Sequence, residues 1–296
     1  MTSPVICFGE ALWDCLPRGL FLGGAPLNVA YHLHRLGRAV MPVSAVGTDA
    51  LGDEILRRLD LWGLTGSGLS RNDLPTGMVR VHVDAQGQPS YEIVEQVAWD
   101  AIALSPAAAA AIDQAPALVY GSLAQRTDGN RHLLGELRAR CPGLQIYDIN
   151  LRQPYDDIDV ARELARGCDL IKVNDLELAR LVGAGDLPSI DSLATAARSL
   201  VADDLTRSVC VTAGARGAGL LDKTGNWHWC DPEPITIRDA VGAGDAFMAA
   251  LIDGLLHQAP PDAILLRASR LAEFVACSDG ATPSHDAAPA VARELP

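Results

Sequence analysis

Positive charge is what this sequence has least of. Only 24 Lys and Arg stand against 37 Asp and Glu, a formal charge of −13. Nucleic acid and anionic membrane both demand a basic face, so neither is expected as the main partner. A polyanionic ligand would have to be met by local dipoles and a metal ion instead. The seven cysteines (Cys7, Cys15, Cys141, Cys168, Cys210, Cys230, Cys277) are scattered, odd in number and without a CxxC pair. They read as reduced packing residues of a cytoplasmic protein, not as a disulfide framework. No apolar stretch approaches membrane-spanning length and no basic segment precedes the first apolar run, so neither insertion nor export is expected. Aromatics are 5% of the chain while Ala, Leu, Val and Gly abound, which suits helices packed closely on a sheet.

What is present alternates between strand and helix. Val5 to Gly9 is a short apolar run ending in glycine, with Glu10 and Asp14 just beyond it. Open α/β sheets bind ligands at such strand ends, although a solvated loop looks the same. Gly23-Gly24-Ala25-Pro26-Leu27-Asn28 then opens a helix with Pro26 in its first turn and Asn28 projecting from it. Further strands are expected at 39–45, 117–120, 144–149, 170–173, 208–212 and 218–222. Helices are expected at 51–61 (capped by Asp49 or Asp53), from Ser105-Pro106, and at 130–140, 175–181, 189–202, 243–256 and 263–277. This alternation implies a three-layer α/β sandwich with a mostly parallel central sheet and right-handed crossovers. The 296 residues allow one large or two modest domains, and one is expected. The last dozen residues, rich in Ala and Pro, read as a loose tail.

Between Thr76 and Ile102 the pattern changes. Met78 to Asp84 alternates, a turn follows at Ala85-Gln86-Gly87-Gln88, and Ser90 to Glu95 alternates again, a half-exposed hairpin suited to a lid or an interface. The lid is expected to draw on segments of about 10–24 and 76–102. His82 has no second ligand at metal spacing and reads as a strand histidine. Trp99 beside Asp100 suits the gripping of a sugar and suits core packing equally.

The chemistry is expected at Asp239-Ala240-Val241-Gly242-Ala243-Gly244-Asp245, which runs into the apolar Ala246 to Leu251. Small residues let a backbone approach a ligand, and a helix beginning there offers free N–H groups and its positive dipole end to a phosphoryl group. A carboxylate repels a phosphate unless it has a task, and for Asp245 the task is to take a proton from an attacking hydroxyl. An ordinary helix start would carry the same residues, since Asp is favoured in first turns.

Four more clusters follow predicted strands, where a sheet's carboxyl edge would gather them. Asp148-Ile149-Asn150-Leu151-Arg152 offers an amide and a guanidinium, or a loop salt bridge. Asn174-Asp175-Leu176-Glu177 puts Asn and Glu on one helix face, fit for the waters of a magnesium ion or for a helix cap. Thr212 to Gly217 has glycines that let a nucleotide lie on the backbone, or makes a simple hairpin. Gly280-Ala281-Thr282-Pro283-Ser284 offers carbonyls to a cation, or ends a helix.

In order, Gly-Gly-Ala-Pro-x-Asn-Val-Ala at 23–30, Asn-x-x-Glu at 174–177, Thr-x-Gly-x-x-Gly at 212–217 and Asp-x-x-Gly-Ala-Gly-Asp at 239–245 resemble the ribokinase, or PfkB carbohydrate kinase, family. The resemblance runs from Gly9 to Ser284. It implies ATP and Mg2+, with Asp245 as catalytic base and the backbone of Gly242, Ala243 and Gly244 as anion hole. Asp14, Gly24 and Asn28 would hold sugar hydroxyls, with Trp99, Asn150 and Arg152 on the substrate side. Asn174 and Glu177 would organise magnesium and phosphates, and Thr212, Gly214 and Gly217 would line the ATP site. Asp239, with carbonyls near Val241, Gly280 and Ser284, would match the cation loop of members that use K+. Ala240 stands where the family often has Thr, a departure that leaves the base untouched.

Gly9-Glu10-Ala11-Leu12-Trp13-Asp14, Pro75-Thr76-Gly77, Tyr91-Glu92-Ile93, Val97 to Asp100 and Asp148 to Arg152 look most like bacterial fructokinases. The resemblance therefore implies fructose as sugar and a homodimer through the lid. Related branches act on 2-keto-3-deoxygluconate, ribose or nucleosides. A non-catalytic sugar or nucleotide sensor would have no need of Asp245. A dinucleotide oxidoreductase is disfavoured, since no GxGxxG follows the first strand and carboxylates stand where a pyrophosphate would sit.

Overall fold

The computed structural model describes residues 3–16, 19–83 and 89–293. Thirteen strands run along these residues: β1 (Val5–Phe8), β2 (Leu12–Leu16), β3 (Gly19–Gly23), β4 (Val40–Gly47), β5 (Leu69–Asn72), β6 (Gly77–Val83), β7 (Pro89–Ile93), β8 (Ala117–Gly121), β9 (Leu144–Asp148), β10 (Leu170–Asn174), β11 (Val209–Thr212), β12 (Ala218–Leu221) and β13 (Trp227–Cys230). The α-helices are α1 (Ala25–Arg35), α2 (Ala50–Trp62), α3 (Pro106–Ala111), α4 (Asp128–Arg140), α5 (Ile158–Ala165), α6 (Asp175–Val182), α7 (Ile190–Ala202), α8 (Ala243–Leu256), α9 (Pro261–Ala276) and α10 (Ala290–Arg293).

The large sheet has the order β13-β12-β11-β10-β9-β8-β1-β4-β5 and is parallel from β5 to β11. Only β12 and β13 run antiparallel. The chain leaves β1 first toward β4 and β5 and later toward β8 to β11, so the strand order reverses around β1. A crevice beyond the carboxyl ends of the strands forms at such a reversal. Alternate residues of β1 enter opposite cores: Ile6 and Phe8 face α3 to α7, and Val5 and Cys7 face α1, α2, α8 and α9. Every residue of β1 and β4 is buried, as expected of strands covered on both faces. Helix α8 is buried from Ala246 to Gly254 and packs between α1 and α9; a helix apolar all round has nowhere else to go.

The second sheet has the order β3-β2-β6-β7. The hairpin expected at 78–95 is thus half of a four-stranded sheet, the other half coming from β2 and β3. The expected turn at 85–88 lies outside the described residues.

Several elements were not foreseen: strands β2, β3, β5 and β13, and helix α5. The expected loose tail is corrected as far as residue 293. Ala292 is fully buried, α10 packs on α9, and Arg267 donates to the Ala292 carbonyl at 3.3 Å. Helix α2 is capped by Asp49, whose carboxylate accepts the Gly52 N–H at 2.8 Å. All seven cysteines are unpaired. Among the described residues no helix is long and apolar enough to cross a membrane.

Candidate active site

Helix α8 begins with Gly242 at φ 79°, in the left-handed region that glycine tolerates. A Cβ there would meet the Ala281 Cβ at 2.5 Å, so the backbone at Gly242 lies directly against Ala281. The first-turn N–H groups of Gly244 and Asp245 have no carbonyl four residues back within the helix and lie at its positive dipole end, whereas that of Ala243 donates to the Ala240 carbonyl at 3.4 Å. The turn opens into a cleft of about 850 Å³ lined by Glu10, Asp14, Gly24, Asn28, Asn150, Arg152, Lys172 and Asp245, among others, together with Leu12, Val79 and Ile93 of the small sheet.

Asn28 lies in the first turn of α1, and its amide donates to Asp245 Oδ2 at 2.8 Å. Burial pushes the Asp245 carboxyl up to about 6; the Asn28 hydrogen bond and the cations of Lys172 and Arg152 pull it down, while Asp148 pushes it further up. Gly24 precedes α1 at φ 110°, and a Cβ on it would sit 2.3 Å from the Glu10 carbonyl. Glu10 itself is 4% exposed. Its Oε1 accepts the Ala25 N–H at 3.1 Å, and among the described residues its Oε2 has no hydrogen-bond partner. Burial raises Glu10 to about 7 and Asp14, on β2, to about 6, with Arg152 opposing both.

Beyond β9, Asn150 adopts φ 41°, a conformation costly for a side-chain-bearing residue and common at binding sites. Exposed Arg152 follows on the cleft rim, and among the described residues it has no carboxylate partner. The turn is pinned from below by Glu177, whose Oε1 accepts the Leu151 N–H at 2.8 Å and whose Oε2 accepts the Asn174 N–H at 2.9 Å. Asn174 in turn caps α6 by accepting the Glu177 N–H at 2.8 Å. The motif thus forms a capping box at the start of α6.

Sequence reasoning missed Lys172. It stands in β10 among Leu170, Ile171 and Val173, a context that reads as pure core, yet its Nζ donates to both oxygens of Asp148 at 3.2 Å and borders the cleft. A polar residue interrupting an apolar strand was the available signal.

Other expected residues lie outside this cleft. Trp99 is corrected: it is 0% exposed, its ring fills the space where a Gly77 Cβ would be, at 2.3 Å, and the Arg126 guanidinium stacks on it at 3.9 Å. Asp100, its neighbour, pairs with Arg126 at 2.6 and 2.7 Å, so no sugar reaches either group from the cleft. Thr212, Gly214 and Gly217 lie on the β11–β12 hairpin, two strands from β9. A Cβ on Gly217 would meet the Cys230 carbonyl at 2.4 Å, so this glycine is required by the close approach of β13. Asp239 holds the Val241 N–H at 3.1 Å. Around Gly280 and Ser284, the carbonyls of Ala281 and Pro283 accept from or lie against His32 and Tyr31 at 2.9 and 3.0 Å.

The sequence pattern of the pfkB family carbohydrate kinases matches residues 17–288, which takes in all four motifs. A putative sugar kinase of Pyrococcus horikoshii is 27% identical over 265 residues, covering 86% of this chain and 79% of that protein. Fructokinase-2 of Solanum habrochaites is 28% identical, with 94% and 89% covered. The structure of fructokinase with bound ATP from Xylella fastidiosa shares the fold at a TM-score of 0.81 and 21% identity, over 99% of this chain and 97% of that one. The chain belongs to the pfkB family of carbohydrate kinases.

Proposed function

We propose that this protein transfers the γ-phosphoryl group of ATP to a primary hydroxyl of a sugar, with fructose as the preferred acceptor. The observation that carries the reading is Asp245, set in the first turn of α8 beside an anion-binding loop and hydrogen-bonded to Asn28 in the cleft beneath the lid. Asp245 takes the hydroxyl proton as the sugar oxygen attacks the γ-phosphorus in line, and the first-turn N–H groups disperse the charge that develops. A carboxyl held near 6 is largely ionised at neutral pH yet basic enough to accept a proton. Asp14, Gly24, Asn28 and Asn150 hold the sugar, and the lid excludes water while the phosphoryl group is reactive.

Among the described residues no cluster of three or more His, Cys, Asp or Glu stands ready for a metal. Both oxygens of Glu177 are already engaged. A magnesium ion carried by the ATP phosphates would be met by Glu177 only through water, since each of its oxygens already accepts one N–H, and no step is routed through the ion. The reading includes a homodimer through the lid, whose edge strand β3 carries Leu20 at 47% exposure. One observation favours a second acceptor: Arg152 lines the cleft and, among the described residues, forms no salt bridge, so it suits the acid group of 2-keto-3-deoxygluconate.

The test is ATP-dependent turnover across fructose, ribose, 2-keto-3-deoxygluconate, glucose and adenosine. Fructose turned over ahead of the rest supports the whole reading. Preference for another acceptor keeps the role of Asp245 and overturns the sugar assignment; no turnover on any, with ATP still bound, favours a sensor.

A further inference from the structure

The cleft presents a difficulty that its backbone donors meet only in part. Glu10, Asp14 and Asp245 line the cleft where a phosphoryl group, itself anionic, has to be attacked, and buried Asp148 stands behind Lys172 as its partner. Two cations border that space: Arg152 at the rim and Lys172 at the floor. Lys172 is 7% exposed and Asp148 is 5%, and the register of β9 and β10 sets them side by side. The ammonium has three N–H groups, of which Asp148 can take two through its two oxygens. A Cβ on Gly244 would begin 3.3 Å from Nζ, so the ammonium lies directly under the turn that offers the anion hole, and the missing side chain at Gly244 leaves it open to the cleft. Burial works against the charge, but Asp148, Glu177 and Asp245 outweigh it and hold the amine above the ordinary lysine value. The group under the turn is therefore a charged donor.

We propose that Lys172 is a catalytic residue of phosphoryl transfer, its ammonium steered by Asp148 to donate a hydrogen bond to an oxygen of the transferring phosphoryl group beneath Gly244. This rests on the kinase reading above. In the step, the sugar oxygen forms the new P–O bond while the bond from the γ-phosphorus to the β–γ bridging oxygen breaks. ADP leaves with the bonding pair, and Asp245 receives the hydroxyl proton. Lys172 keeps all its protons and offsets charge that grows on the phosphoryl oxygens, an effect worth more in a dry site than in water.

A buried ion pair that serves only the fold would look the same in the resting protein. Lys172→Met alone does not separate the two, because it strands a buried Asp148. The experiment therefore compares wild type, Lys172→Met and the double variant Lys172→Met/Asp148→Asn, in which the stranded charge is also removed. Melting temperature, kcat and KM are measured, with ATP and ADP affinities by calorimetry.

The double variant should recover the melting temperature lost by the single one, while its kcat stays about a hundredfold below wild type. ATP affinity should fall about tenfold more than ADP affinity, since only ATP carries the group that Lys172 contacts. Recovery of kcat to within threefold in the double variant, or equal effects on ATP and ADP, would overturn the proposal. If wild type turns over no sugar, the kinase reading fails, and the ATP-to-ADP comparison still decides whether Lys172 meets the third phosphate.

Discussion

The Asn28 amide and Asp245 Oδ2 meet at 2.8 Å across 217 residues of sequence, joining the helix that would hold the sugar to the helix that would hold the phosphoryl group. The bond also sets the protonation of the proposed base. Burial raises Asp245 to about 6 and Asn28 pulls against that rise, so kcat/KM should fall as pH drops through about 6. Asn28→Ala should move that acid limb to higher pH. A pH–rate profile of the two proteins checks this, and an unmoved limb would assign the ionisation to another group.

Replacing Asp245 by Asn keeps the shape and the Asn28 contact within reach while removing the base. Turnover should drop by about 10²–10⁴, with ATP affinity changed by no more than about threefold. Near-normal turnover in a steady-state assay would sink the role given to this residue.

The same substitution should make the protein more stable. A carboxyl whose folded value lies near 6 against an ordinary 3.8 holds extra protons when folded, so its ionisation opposes folding as pH rises through that window. Asp245→Asn should match wild type in melting temperature near pH 4. By pH 8 it should be ahead by about 1–2 kcal/mol of stability. Thermal melts at the two pH values read the difference directly.

Trp99 belongs to the anchor of the lid. Its ring lies under Gly77 at the root of β6, and Arg126, stacked on it, also donates to the Val94 carbonyl just past β7 at 2.7 Å. Trp99→Phe should lower stability by about 1–3 kcal/mol and leave the sugar KM within twofold. A tenfold rise in sugar KM at unchanged stability would return this residue to the sugar site.

Glu177→Gln tests what its carboxylate does. The new amide nitrogen would face one of the two N–H donors that the carboxylate now satisfies, costing about 1–3 kcal/mol locally and loosening the turn that carries Asn150 and Arg152. The sugar KM should rise about tenfold, with little change in the magnesium concentration needed for half-maximal rate. The opposite split would restore the magnesium role.

The parts of this site that could be read from the chain are those whose signal is local. A glycine turn before an apolar run announces where α8 begins, and Gly-Gly-Ala-Pro announces α1. Short, mostly apolar runs marked β1, β4, β8 and β10 as strands, β10 in spite of the Lys172 within it. Lys172 escaped because its meaning depends on Asp148, 24 residues away and adjacent only once β9 and β10 are paired in register. Trp99 was ambiguous because an aromatic beside an acid fits a sugar site and a core equally, and the absent side chain of Gly77 decides between them. Edge strand β13 was missed because Trp227 to Cys230 is short and half-exposed on both sides, without the apolar continuity of the inner strands.

Helix α8 is walled in by α1, α9 and the sheet, whereas the lid is a four-stranded sheet with half-exposed strands. Opening a region costs only the contacts it gives up, so the two halves of the cleft belong to units of different resilience. Amide hydrogens along α8 should exchange only when the whole molecule comes apart, while those of β2 and β3 exchange through smaller excursions. Under mild denaturant the small sheet should loosen first, and the buried span of α8 from Ala246 to Gly254 should hold until the end.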